Sequence, residues 1–522
     1  SEGGLMPSQK NKASVIVRNA TLDDVPAIAA LVVKVYGRPA DGYTPGMLRG
    51  QISSFPEGQF LVEYDGEVVG YAASFLIAEE LALTPHDWIE ITGNGYAARH
   101  DPEGNWLYGM EVCVDPEIRR TRIGQRLYNA RQQLCEDWEL QGIVFGGRMP
   151  GWYRKRKAYP DPADYVAAVK AQKITDPVIR YHLRAGFEPI GVLRNYLEED
   201  KDSGGHATHM VWRNPYAEDL KPQSKVSYSQ KERVRVATVQ VQMRAVKSFE
   251  EFMSNVEYFV DVCSDRRADF VVFPELFTLQ LLAFEKRKLS PAESIEALTK
   301  YTPRFIEEMR NLAISYNINI IGGSHPTRTD DGDIQNVAYV FLRNGSVHAQ
   351  EKIHPTPDER HWWNIKGGDT VDVIPTDCGP IGVLICYDSE FPELARRLTD
   401  EGARILFTPF CTDSRQGYLR VRYCCHARCI ENQLYVVTSG CTGNLPNVEN
   451  MDINYAQSAI LTPCDYPFAR EGIAAEIAEN VEAVVMADLD MSDLSFARSE
   501  GTVRNLRDRR FDLYRVAWKN GG

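Results

Sequence analysis

The sequence predicts a chain of mixed α/β and α+β class in two domains: a mixed sheet with helices first, then two sheets with helices outside them. Three observations carry this. The 522 residues exceed what one ordinary hydrophobic core organises. Strand-like runs alternate with helical ones along most of the chain. Between them the composition turns polar over residues 214–232, with Pro215 and Pro222, which reads as a linker between domains at 14–213 and 233–517.

Residues 14–18 read as a strand, and Thr21 with Asp23 and Asp24 caps an apolar helix running to about residue 36. Residues 60–64 and 68–76 form a hairpin around Asp65-Gly66. A longer strand at 106–114, an amphipathic helix at 123–140 and a strand at 143–147 complete the pattern legible in the first domain. The second domain opens with a strand at 234–240, a helix through residue 260, and a strand at 270–273 that ends on Pro274-Glu275. Further strands follow at 318–322, 337–342, 347–352 (after the Asn344-Gly345 turn), 381–385, 405–409 and 434–439, and a helix with proline in its first turn covers 391–398.

Composition narrows the function classes. Hydrophobic content of 43% and charged content of 25% are those of a soluble globular protein. No stretch approaches the length of a membrane span and no signal-peptide core is present, so a cytoplasmic protein is expected; the five residues before Met6 read as an appended tag. A net charge of -13 argues against a nucleic-acid surface, and the run Arg154-Lys155-Arg156-Lys157 reads as solvated. Eleven cysteines, an odd number, suit a reducing compartment better than a disulfide framework. Cys424, Cys425, His426 and Cys429 lack a second pair at zinc-site spacing and fit one helix, so no metal is expected.

Three polar residues stand where strands end: Glu275 after Val-Val-Phe-Pro, Lys352 after Ala-Gln-Glu, and Cys386 after Leu-Ile. Cys386 also precedes a helix whose N-terminus favours a thiolate. A carboxylate can take the thiol proton and later activate water, a thiolate can attack a carbonyl or nitrile carbon, and an ammonium can hold the oxyanion together with the backbone N–H of Tyr387. Together they describe acyl transfer without metal or histidine. Asp388 and Glu393 read as holding the elbow and the helix, and His354 and His361 as structural.

Over about residues 234–514 the sequence resembles the nitrilase or carbon-nitrogen hydrolase superfamily. Phe273-Pro274-Glu275, Glu351-Lys352-Ile353-His354, and Leu384-Ile385-Cys386-Tyr387-Asp388 with Phe391-Pro392-Glu393 match its glutamate, lysine and cysteine motifs. Ala427 to Gln433 with Tyr435-Val436-Val437, Ser458 to Pro463 and Arg509 to Tyr514 also fit. The resemblance implies an αββα sandwich, Glu275 as general base, Lys352 as oxyanion stabiliser, Cys386 as nucleophile, no cofactor, and at least a homodimer through this domain. Many members carry a second glutamate between lysine and cysteine; Glu359 is the candidate here, and an exposed loop carboxylate is the other reading. Residues 410–418 and 441–455 are the loops expected to shape specificity.

In the first domain the segment from Glu111 to Leu127 carries a strand into a short basic loop and then an amphipathic helix. Free N–H groups at such a helix start, flanked by arginines, suit a pyrophosphate. The segment resembles the acyl-CoA loop of the GNAT acetyltransferases, whose fold would cover about residues 15–212. Arg119 and Gly124 meet the family pattern, whereas Arg122 replaces its first glycine, where a side chain could crowd the diphosphate or contact it. The resemblance implies acetyl-CoA held at Val112, Val114, Arg119, Arg120, Arg122, Ile123 and Gly124, with transfer to an amine. For the proton donor to the departing thiolate the sequence offers His182, at the position where the family often has tyrosine, and the adjacent Tyr181; a core histidine would look the same. Glu111 is a candidate base towards the amine, or a satisfied buried carboxylate.

These readings lead to a fusion of an amidase-type hydrolase, acting on a small-molecule amide, with an acetyltransferase domain. Two alternatives stay open: N-acetylation as the principal activity, or a first domain that senses acyl-CoA or acts as a scaffold.

Overall fold

The computed structural model describes residues 14–37, 43–118, 121–217, 231–446, 448 and 453–519. It divides into two compact units, Ser1–Val226 with Arg510–Gly521, and Ser227–Arg509. The segment from Arg510 thus groups with the first unit, where the sequence reading carried the second domain to residue 517.

The first unit is built on seven strands: β1 (Val15–Asn19), β2 (Phe60–Tyr64), β3 (Glu67–Ile77), β4 (Trp106–Val114), β5 (Gly142–Gly147), β6 (Glu188–Leu193) and β7 (Ala207–Arg213). Their order is β1-β2-β3-β4-β5-β7-β6, antiparallel except for β4 and β5. The β2–β3 hairpin turns on Asp65 (φ 50°) and Gly66 (φ 84°), two positive φ values in succession, as a tight hairpin requires. Alternation along β4 sends Trp106 and Tyr108 to one face, with Ile28, Leu31 and Phe75, and Leu107 to the other, with Ile143, Phe145 and Phe187. The helices Val25–Tyr36 and Pro45–Ser54 supply residues to the first cluster, and Ile123–Asp137, Pro162–Lys170 and Pro177–Arg184 to the second. The helix expected at 123–140 stops at Asp137, because Glu139 takes a left-handed φ of 56°.

One feature of this sheet positions a site. A bulge interrupts the β3–β4 register between Ala73 and Ser74, and the parallel pairing of β4 with β5 ends at Gly109 opposite Phe145. Beyond that point β4 continues to Val114, paired among the described residues with β3 alone. The buried Arg131 guanidinium fastens the bulge, donating to the carbonyls of Ala73 (2.7 Å) and Glu111 (2.6 Å).

The second unit is a sandwich of two sheets. The first contains β8 (Arg233–Met243), β9 (Phe270–Val272), β10 (Asn319–Ile321), β11 (His325–Arg328), β12 (Ile334–Phe341), β13 (Val347–Glu351) and β20 (Ala483–Asp490). The second contains β15 (Ile381–Val383), β16 (Ile405–Phe410), β17 (Tyr435–Gly443), β18 (Ala459–Leu461) and β19 (Ile473–Glu476). The two join where the end of β8 pairs with the end of β17. Alternation along β8 turns Ala237, Val239 and Val241 into the core under the helices Phe249–Asp265 and Thr302–Ser315. Its opposite face meets the other sheet through polar contacts: Thr238 Oγ1 donates to the Thr438 carbonyl (2.6 Å) and Ser439 Oγ to that of Val239 (2.5 Å). Phe270 and Phe407, with ring centroids 5.2 Å apart, fill the dry part of the interface. The helices Pro392–Asp400 and Arg415–Asn432 belong to the second sheet's side, which makes the layers αββα. Cys424, Cys425, His426 and Cys429 all lie on Arg415–Asn432.

Among the described residues no helix is long and apolar enough to cross a membrane, and no group of three or more His, Cys, Asp or Glu side chains is arranged to hold a metal ion.

Candidate active site

The second unit brings Glu275, Lys352, Cys386 and Glu359 into one buried cluster, each no more than 6% exposed. Two of them come from the first sheet and one from the second. Glu275 follows β9, and the chain turns sharply after it because Leu276 takes a left-handed φ of 55°. Gly323 packs so close behind this turn that a Cβ there would stand 2.1 Å from the Pro274 carbonyl. Lys352 follows β13. Cys386, after β15, itself takes φ 46° and opens a 3₁₀ turn, Cys386–Glu390. This strained conformation is characteristic of functional turns.

Lys352 Nζ lies between the carboxylates, donating to Glu275 Oε2 at 2.8 Å and to Glu359 Oε1. Glu359 is therefore no exposed loop residue. It sits at the third position of the helix Pro357–Trp362 and closes a capping box with Thr356, which fixes its backbone while its side chain reaches the lysine. Asn336, on β12, donates Nδ2 to Glu275 Oε2 (2.9 Å) and to Glu359 Oε2 (3.4 Å). Sequence reading missed this residue; its only signal is an amide at the mouth of an apolar strand.

Electrostatics follow from burial. Desolvation pushes the Glu275 carboxyl up to about 7, opposed by the Lys352 charge and by hydrogen bonds from Lys352 and the Cys386 thiol. Burial opposes the charge on Lys352, but Glu275 and Glu359 outweigh it and hold the ammonium well above its usual range. Desolvation, and then the Glu275 charge, drive the Cys386 thiol well above its usual range, with Lys352 and the Cys411 N–H opposing. Burial thus opposes the helix-stabilised thiolate expected from the sequence: the short 3₁₀ turn intervenes before Pro392–Asp400, and a helix dipole fades within a turn.

Asp388, inside the 3₁₀ turn, accepts the N–H groups of Ile353 (2.9 Å) and His354 (2.8 Å), and His354 Nδ1 lies 2.9 Å from it. The His354 ring stacks on Phe391 at 3.7 Å. These contacts tie the turn after Cys386 to the backbone after Lys352. Of the two loops expected to shape specificity, Thr412 pairs with Tyr455 and Gly443 with Asn454; residues 447 and 449–452 lie outside the described residues.

In the first unit, Glu111, Val112 and Val114 lie where β4 has parted from β5, and Ile123 and Gly124 begin the following helix. Arg119 and Arg120 lie outside the described residues. Arg122 caps the helix in the left-handed conformation, φ 52° and ψ 44°, which glycine adopts without strain. Tyr36 donates its hydroxyl to Glu111 Oε1 at 2.5 Å. Burial pushes the Glu111 carboxyl up to about 7, with Tyr36 and then Arg131 opposing.

His182 and Tyr181 separate clearly. His182 is 6% exposed among Phe145, Phe187 and Tyr128, its Nε2 3.0 Å from the Tyr128 hydroxyl and its Nδ1 without a partner among the described residues. Burial lowers it to about 4, so it stays neutral near pH 7. Tyr181 is 42% exposed, and its hydroxyl stands 3.5 Å from where a Cβ on Gly124 would be.

The buried glutamate, lysine and cysteine at the ends of strands in an αββα sandwich define a hydrolase of the nitrilase superfamily, and sequence comparison agrees: the chain belongs to the carbon-nitrogen hydrolase family, which it matches over residues 235–499, and it also carries an acetyltransferase (GNAT) family domain matched over residues 29–150. Both domains together are similar to the probable hydrolase YhcX of Bacillus subtilis, at 46% identity over 97% of each chain. The first part is 31% identical to the uncharacterized N-acetyltransferase YkwB of the same organism, over 39% of this chain and 90% of that one. The second is 27% identical to the omega-amidase NIT2 of Xenopus tropicalis, over 55% of this chain and 98% of that one. Among solved structures, Saccharomyces cerevisiae Nit3 overlays 52% of this chain and 96% of its own, at 23% identity and a TM-score of 0.44.

Proposed function

We propose that the second domain is an amidase acting through a thioester on Cys386, and that the first transfers acetyl from acetyl-CoA to an amine. The observation that carries the amidase reading is the buried cluster: Lys352 bridging Glu275 and Glu359, with Cys386 buried beside them. The omega-amidase relative supports an amide over a nitrile substrate.

Glu275 takes the thiol proton as sulfur attacks the amide carbon, so the buried cysteine never stands as a free thiolate. The oxyanion that forms is held by the Lys352 ammonium and the Tyr387 N–H, in the first turn after the nucleophile. Glu275, now protonated, gives its proton to the departing nitrogen, and the C–N bond breaks. Water then enters; Glu275 removes its proton, the thioester carbon is attacked, and the acid leaves as the thiol is restored. Glu359 and Asn336 keep Lys352 and Glu275 in place. A base with pKa about 7 suits proton transfer in both directions near neutral pH.

In the first domain the unpaired edge of β4 and the helix start at Ile123 are suited to a CoA thioester and its pyrophosphate, with Glu111 as base towards the amine. Tyr181, and not the buried neutral His182, is placed to donate to the leaving thiolate.

Mass spectrometry of the Glu275→Gln variant after exposure to a panel of small amides tests the amidase reading. An acyl mass on the Cys386 peptide supports it; a panel giving neither adduct nor ammonia counts against it. Calorimetry with acetyl-CoA tests the first domain, and no binding at millimolar ligand would favour a scaffold.

A further inference from the structure

The carboxylates around Cys386 are nearly all committed to the protein. Glu275 and Glu359 serve Lys352 and Asn336, and Asp388 holds the backbone after Lys352. Glu390 differs. It closes the 3₁₀ turn that Cys386 opens, so nucleophile and carboxylate ride on one five-residue unit. Its side chain is only 19% exposed, yet among the described residues its carboxylate accepts no hydrogen bond. The one ion pair it makes among them is to Arg420, whose Nε stands 3.8 Å away on a side chain 66% exposed. Partial burial raises the Glu390 carboxyl, with Arg420 and then Lys352 opposing, so the field of the site lysine reaches it. A carboxylate drawn out of water without its donors is costly, and a cationic ligand would offset that cost.

We propose that Glu390 is the counter-ion for an ammonium group at the far end of the substrate, so that the hydrolase site selects amides carrying a protonated amine. This rests on the amidase reading and adds its substrate class. Four residues at about 2 Å of rise each place the Glu390 backbone roughly 8 Å along the turn from that of Cys386, a span that a substrate with about four methylenes between the amide carbon and the ammonium can cover.

The test uses three primary amides built on the same five-carbon chain, with the full-length protein: 5-aminopentanamide, pentanamide and the monoamide of glutaric acid, ending in ammonium, methyl and carboxylate. Ammonia release should rank them cation, neutral, anion in kcat/KM. In Glu390→Gln the cation-to-neutral ratio should fall about 10- to 100-fold, the strength of a charge-assisted hydrogen bond, mainly through KM. Glu390→Lys should bring the glutaric monoamide above the aminoamide. A wild type that hydrolyses pentanamide as well as the aminoamide, or a Glu390→Gln variant that loses all substrates in proportion, overturns the inference and leaves the amidase reading standing. No ammonia from any of the three, with no adduct on Cys386, overturns both.

Discussion

The two candidate sites solve the same problem, holding ionisable groups out of water, in opposite ways. In the hydrolase unit Lys352 and the Asn336 amide nitrogen both donate to Glu275 and Glu359, so the charges of the cluster are paired within the protein. In the acetyltransferase unit the Glu111 carboxylate accepts the Tyr36 hydroxyl and feels Arg131, the adjoining edge of β4 has parted from β5, and Arg122 holds a left-handed turn. The difference fits the two chemistries proposed above. A covalent intermediate needs an oxyanion site organised in advance, whereas a domain that binds a large thioester can leave backbone groups for the ligand to complete.

The largest expected effect falls on the paired cluster. Cys386→Ala should lower amide hydrolysis at least about 10³-fold, since the nucleophile has no substitute; residual activity of one part in ten would break the comparison by showing that the cluster does not carry the chemistry. Next, Glu111→Gln should cost about 10²-fold in acetyl-transfer kcat at pH 7, the weight of a general base. A loss of twofold or less would show Glu111 to be a satisfied carboxylate.

Acidity offers a finer probe. Glu275 is held up to about 7 and must be ionised to accept the thiol proton, so hydrolytic kcat/KM should climb between about pH 6 and 8 with one ionisation and fall away as acid protonates it. Asn336→Ala removes a donor that favours the charged form, so this rising limb should move to higher pH by about one unit or less. A limb that stays put would mean that Lys352 alone sets the acidity of Glu275. Smallest of all, Arg122→Gly should relieve about 1 kcal/mol of left-handed strain, read as a gain in thermal stability. If acetyl-CoA affinity falls at the same time, the Arg122 side chain contacts the cofactor.

Which parts of the sites were legible in the sequence follows from how locally each is encoded. Glu275 and Cys386 announce themselves because each ends an apolar strand and changes chemical type abruptly, whereas Lys352 follows the mixed strand Val347–Glu351 and is marked by its motif Glu351-Lys352-Ile353-His354. The Asp65-Gly66 hairpin is equally local. Asn336 lies 61 residues from the carboxylate it serves and looks like any amide at a strand's entrance, so only the folded sheet shows its role. Glu359 was ambiguous because T-x-x-E marks a helix start whether or not its side chain turns inward. His182 was ambiguous too: motif spacing gives it the position where the family often has tyrosine, and a core histidine looks the same until the eight-residue helix Pro177–Arg184 turns it into aromatic packing and leaves its neighbour Tyr181 outside. The thiol's protonation was read from a nearby helix, when its burial decides.

Asp388 gives the hydrolase unit a mechanical property. Glu275 and Lys352 are carried by one sheet and Cys386 by the other, so any sliding of the sandwich layers would change the reach between ammonium and sulfur. One carboxylate, sitting two residues past the nucleophile and grasping the two N–H groups just past the lysine, works as a rivet through both layers. The alignment of the reacting atoms is thereby uncoupled from breathing of the large surface between the sheets. Loosening this rivet, as in Asp388→Asn, should make catalysis fail on warming well before the fold does.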